Sequence, residues 1–149
     1  MENPNNLTTL EKHTAYPNYC FYSSFIFITN ALVSLYYKEY AYSASFFALF
    51  LTSILYRTIT NTFTNILDKI AIAVVVFLGG NLFLSKFSPE TNIFHQLTII
   101  FTFISTIYLH YYGYCYAKYC YDNDVETAHR YHALLHIFAS FGHHLILLL

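Results

Sequence analysis

Charge is scarce in this 149-residue chain: only 10% of its residues are Asp, Glu, Lys or Arg. Soluble domains carry about 25%, so the composition excludes an ordinary soluble fold. The net charge of −1 leaves no basic surface for nucleic acid. Tryptophan is absent, so the aromatic belt of a membrane protein falls to the 16 tyrosines. Three cysteines, Cys20, Cys115 and Cys120, give no disulfide framework. They read as buried or interfacial thiols, with S-acylation at the membrane surface as the other use. Residues 1–20 are polar and lack the apolar core of a cleaved signal peptide. They hold Asn6-Leu7-Thr8, a glycosylation acceptor only if the N-terminus is lumenal. What remains is apolar: 56% of the chain is hydrophobic. The expectation is an all-α, polytopic integral membrane bundle, residues 21–149, behind a polar tail at 1–20. The Asn-, Ile-, Phe- and Tyr-rich usage points to an AT-rich genome, of the kind many viruses carry.

Five spans are expected. The first runs over 21–37 and stops at Lys38-Glu39; the second runs over 41–60. Residues 61–65 read as a short turn. A third helix over 66–84 opens with Asp68-Lys69 and contains Gly79-Gly80, a site for close helix contact. Ser88-Pro89-Glu90 is a break. The fourth span, 92–113, fades into a tyrosine-rich interfacial stretch from Tyr108 to Tyr121. Asp122-Asn123-Asp124 is a polar loop, and the last helix runs over 128–149. Five spans place the N-terminus, residues 61–65 and residues 117–127 on one side. Lys12, Lys69, Lys118 and Arg130 lie there, with Arg57 nearby, against Lys38 and Lys86 opposite, which favours a cytoplasmic N-terminus.

The last helix holds five of the eight histidines. His129, His132, His136 and His143 share one stripe, with Ser140 beside it; Leu134, Phe138, Phe141 and Leu145 fill the opposite face. Ionisable groups in a membrane helix are costly when they face lipid, so the stripe is expected to face protein or a water-filled cavity. His132 and His136, four apart, have the spacing to hold one metal ion. Topology brings Ser53, Arg57, Asp68, His110, His132 and His136 within two or three turns of one membrane face, at about 1.5 Å of depth per residue. His95, His143 and His144 belong to the far side, and His13 to the tail.

Ser53-Ile54-Leu55-Tyr56-Arg57, then Asp68 after ten residues, then His132-Ala133-Leu134-Leu135-His136 resembles the alkaline ceramidase and progestin/adipoQ receptor group of membrane hydrolases, the CREST superfamily. The resemblance covers residues 49–76 and 128–142. That group has seven helices, with Ser-x-x-x-His in the second, Asp at the start of the third and His-x-x-x-His in the last. It implies zinc on three histidines and hydrolysis of a lipid amide or ester by a zinc-bound water. Asp68 would then act as base and Ser53 as an orienting or oxyanion group.

Two departures stand out. The chain reads as five helices, and Arg57 replaces the first zinc-binding His. Arginine stays protonated and cannot ligate a metal, and two histidines fall short of the three protein ligands of catalytic zinc.

Three readings stay open. In the first the site is degenerate, with Arg57 paired to Asp68. In the second, His110 replaces the missing ligand. In the third the residues act separately: His132 and His136 bridge helices, Arg57 reaches the interface, Asp68 caps its helix, Ser53 back-bonds. Membrane lipids are the expected partners, and a homo-oligomer is compatible with the sequence. Other classes are a non-enzymatic accessory or envelope protein, a proton- or ion-conducting bundle, and a bundle with haem between His110 and a last-helix His.

Overall fold

The computed structural model describes residues 19–59 and 61–149. The glycosylation triplet, Lys12, His13 and most of the polar tail lie outside the described residues. The described chain is all helical, without a strand. Its elements are α1 (Tyr19–Ser24), α2 (Ile26–Tyr36), α3 (Tyr40–Thr58), α4 (Thr62–Lys86), α5 (Ile93–Ile107), a π-helical turn (Tyr108–Tyr112), α6 (Gly113–Tyr116), a 3-10 turn (Tyr119–Tyr121) and α7 (Val125–Leu148). It is an integral membrane helix bundle.

Four helical units are long and apolar enough to cross a membrane: Tyr19–Tyr36, Thr62–Lys86, Ile93–Tyr116 and Val125–Leu148. The fifth, α3, has 19 residues, about 28 Å at 1.5 Å per residue. It carries Ser43, Ser45, Ser53 and Arg57 and, unlike the other four, lacks a continuous stretch as apolar as a membrane span usually has. That polarity is tolerated because α3 packs against α2 on one side and α4 on the other.

Local chemistry sets the boundaries. The first span tightens at Phe25, where amide bonds run from Phe25 to the Tyr22 carbonyl and from Ile28 to that of Phe25. It ends at Lys38, whose φ of 63° is left-handed; the Lys38 and Glu39 amides bond back to Leu35 and Ser34. The expected turn at 61–65 is shorter, and α4 begins at Thr62. Asn61 and Thr64 form a reciprocal capping box, which draws Thr62 to Asn65 into the helix. The last helix likewise starts at Val125 rather than 128, because Asp124 accepts the Thr127 amide at 3.0 Å. At the end of α6 the Lys118 carbonyl folds back to where a Cβ on Gly113 would stand, at 2.6 Å.

α7 organises the bundle. It lies between α1–α2 and α5, and touches α4. α5 approaches closely where Gly142 meets Thr102. Consecutive α4 and α5 make little contact with each other. The core joins Phe27 and Ala31 of α2, Tyr42, Phe46 and Leu49 of α3, Ala71 and Val75 of α4, and Leu147 of α7. At the far end Lys86 Nζ donates to the Ile146 and Leu147 carbonyls at 3.3 and 3.0 Å. The His95 ring bonds the Leu145 carbonyl at 3.0 Å. Both satisfy helix-end carbonyls that have no intrahelical donor.

Gly79 and Gly80 differ sharply. A Cβ on Gly79 would stand 2.7 Å from the Tyr42 hydroxyl and 2.8 Å from the His143 ring, whereas one on Gly80 would meet nothing within 4 Å. Tyr42 is buried and hydrogen-bonded to His143, so neither can swing away freely. Gly79→Ala should therefore cost about 1–3 kcal/mol by overpacking. Gly80→Ala should be neutral or slightly stabilising. Thermal unfolding of the two variants in detergent checks the contrast; equal midpoints would refute it.

Candidate functional site

Two helix hairpins carry the site. α3 and α4 pack side by side, which sets Asp68 in the second turn of α4 opposite Ser53 of α3. Ser53 Oγ donates to Asp68 Oδ1 at 2.6 Å, and Thr52 Oγ1 to the same oxygen at 3.2 Å. Ser53 is buried. One turn nearer the membrane face, about 6 Å along α3, Arg57 leaves the helix in the direction of α7. Its Nη2 donates to His132 Nε2 at 3.1 Å. Its guanidinium lies 5.2 Å from the Tyr56 ring centroid.

The expected Arg57–Asp68 pair is not formed. The Asp68 oxygen is taken by hydroxyls one turn deeper, and the longer arginine reaches across to the histidine instead. The only ion pair among the described residues is Arg130–Glu126, on the surface of α7. Because guanidinium only donates, His132 Nε2 must accept, which makes the ring neutral with its proton on Nδ1.

His136, one turn on, is buried and shares a 2.8 Å hydrogen bond with Ser23 Oγ through Nδ1. Its ring packs against Phe27 and against His132, at 4.9 Å in each case. Cys20 Sγ bonds the His129 carbonyl at 3.6 Å. The histidine stripe thus faces protein: α1 and α2 cover its middle, Arg57 its start.

His110 does not join it. It sits exposed on the π-helical turn and bonds the Tyr121 hydroxyl at 2.9 Å. No group of three or more His, Cys, Asp or Glu side chains able to hold one metal ion occurs among the described residues. Of the residues that the resemblance assigns to zinc, His132 Nε2 accepts from Arg57 and His110 bonds Tyr121.

A second cluster lies deeper, and sequence reasoning missed it. Asn30 of α2 is fully buried. Its Nδ2 donates to the Ser140 carbonyl at 3.0 Å and lies 2.9 Å from His144 Nδ1, which itself stands 2.8 Å from that carbonyl. Ser140 Oγ returns a bond to Asn30 Oδ1 at 2.6 Å. Tyr42 and His143 share a further hydrogen bond. The signal was available, since an asparagine amid Ile26–Tyr36 is the polar outlier of its span. Cys20, Ser23, Phe27 and Asn30 also recur at helical spacing, the face that meets α7.

The 3-10 turn beside the site, Tyr119–Tyr121, carries no charged side chain. Burial pushes the Cys120 thiol up to about 12, with nearby Cys20 adding to the rise and the Arg57 charge opposing it. Burial also raises the Tyr121 hydroxyl, again against Arg57. Asp124 is exposed, and its bonds from the Thr127 hydroxyl and amide hold it below the usual carboxylate range.

No protein-family model matches the chain, and neither a curated protein nor a solved structure does.

Two outcomes test this geometry. Asn30→Ala removes the side chain that bonds both the Ser140 hydroxyl and the Ser140 carbonyl, and a buried polar group left unpaired costs about 1–3 kcal/mol. The variant should unfold at lower temperature than Ser85→Ala, whose hydroxyl only back-bonds to Leu82 on an exposed turn. Asp124 sets a pH window. Its folded value is depressed, so its contribution is complete above the unfolded value of about 3.9 and is lost as pH falls through the folded one. Amide exchange at Thr127 should accelerate on acidification below that range, and Asp124→Ala should abolish the acid dependence.

Proposed function

We propose that the chain is a non-catalytic, multi-pass membrane protein whose polar site follows the hydrolase pattern while using Arg57 where that pattern has a metal ligand. One observation carries this reading: the Arg57 guanidinium donates to His132 Nε2. A lone pair engaged by a cationic N–H is closed to a metal, and the positive charge beside it disfavours a second cation. His136 alone is an incomplete site. Ser53 and Asp68 meet as the ceramidase-like pattern requires, but their bond ties α3 to α4 whether or not chemistry occurs there.

On this reading the fixed cation does structurally what the ion would do in an enzyme: it orients the first histidine of the last helix and pins α3 to α7. The protein then acts by occupying and organising membrane, as an accessory or envelope-type component does. The Lys/Arg bias favours an N-terminus in the cytoplasm, and five crossings would carry Leu149 to the other side.

Elemental analysis of purified protein tests the proposal. Wild-type chain should carry no stoichiometric zinc. Arg57→His restores a three-histidine set and should bind about one zinc per chain. A stoichiometric zinc in the wild type, released by His110→Ala, would overturn the reading and return the protein to the hydrolases. A reporter fused to Leu149 that reads cytoplasmic would remove the proposed orientation.

A further inference from the structure

Among the described residues no acid pairs with Arg57. A guanidinium carries five N–H donors, and one of Arg57's is spent, on a neutral ring. Its other contact is the Tyr56 face. Every described carboxylate on this membrane face is committed elsewhere. Asp68 accepts from Ser53 and Thr52. Glu126 pairs with Arg130. Asp124 caps α7, and Asp122 accepts the Asp124 amide. Glu39 and Glu90 lie in the loops of the opposite face.

The groups that feel Arg57 most closely outside the spans are Cys120 and Tyr121, both neutral. The side chain is half-buried in the last turn of α3. Lys69, exposed in the second turn of α4, adds positive charge to the same face. A partly desolvated charge without a partner is expensive, and a guanidinium fork matches the oxygens of a phosphate.

We infer that Arg57, held in place by His132 and Tyr56, binds a phosphate-type oxyanion from the headgroup layer. The four spare donors are the recognition element. His132 acts as a positioning residue, since its ring nitrogen holds one arm of the fork. Tyr56 of α3 lies against the guanidinium. The ligand oxygens come either from an anionic phospholipid or from free phosphate. The same face belongs to the tyrosine-rich layer, which places a lipid headgroup first.

The inference rests on the non-catalytic reading of the site, and the two fail separately. The experiment uses the full chain purified in detergent. The thermal midpoint is followed while mixed micelles are doped with phosphatidate, with phosphatidylcholine, or supplemented with inorganic phosphate. Phosphatidate well above its Kd should raise the wild-type midpoint by several degrees, about 5 °C on the usual scale for a chain of this size. Phosphatidylcholine should do less. Inorganic phosphate matching phosphatidate would assign the site to a free anion and still support it.

Arg57→Gln should abolish the shift. Arg57→Lys keeps the charge but loses the fork and should retain part of it. Should the Gln variant fail to fold, the Lys variant and the phosphorus content of co-purified lipid in it against wild type give the same comparison, with less phosphorus expected in the Lys variant. Equal responses of wild type and Arg57→Gln would overturn the inference, as would equal phosphorus in wild type and Arg57→Lys. It would also fall if Glu2→Gln/Glu11→Gln lowered stability as much as Arg57→Gln, because the tail would then supply the counter-charge. Zinc-free wild type with no anion response removes only this inference; zinc in the wild type removes the reading beneath it.

Discussion

A hydrogen bond between Asn30 and the backbone of the last helix is possible only if two polar faces meet inside a bilayer, and the bundle is arranged to make them meet. Lipid offers nothing to a stray imidazole, amide or hydroxyl. α7 brings His132, His136, Ser140, His143 and His144 into the membrane, and four neighbours answer them: Arg57 meets His132, Ser23 meets His136, Tyr42 meets His143, and Asn30 meets both Ser140 and His144. Individually such bonds contribute only about 0.6–2 kcal/mol in a membrane. Their effect lies in geometry. Each one admits a single rotation of α7 and a single depth, so register is fixed by polarity where apolar packing alone would let helices slide.

The same accounting separates two kinds of polar contact near the membrane face. Ser53 and Asp68 join helices that are already neighbours through a short loop, so their bond refines an existing hairpin. Arg57 and His132 are 75 residues apart in sequence and join the hairpin to the last helix. The second is the more consequential, because it links elements that no short loop holds together. An arginine can only donate to the ring it faces, so the contact fixes which nitrogen of His132 stays bare.

Much of this was legible in the chain. Hydropathy gave the spans, and span parity placed Lys86 and His95 at the far end, where they now cap α7. The same parity put Ser53 and Asp68 at one membrane face, where they now bond. The partner of Arg57 was not legible, because an acid and a neutral ring at similar depth compete for it and only side-chain reach decides. Ser23 was also missed. A serine in a membrane helix ordinarily bonds its own backbone, as Ser24 does with the Cys20 carbonyl, and nothing local distinguishes the two. The early start of α4 was hidden in Asn61 and Thr64, which resemble loop residues until they are seen as two halves of one cap.

The position of α7 at the end of the chain has a consequence for biogenesis. Asn30 and Tyr42 leave the ribosome about a hundred residues before the partners they meet in α7. At a typical 5–20 residues per second, that is several seconds or more of waiting. During that interval the first hairpin sits in or beside the translocation machinery with its amide and phenol unanswered. The nascent protein is thus exposed to membrane quality control until its final helix arrives, and a chain cut short before Ser140 would stay in that state for good.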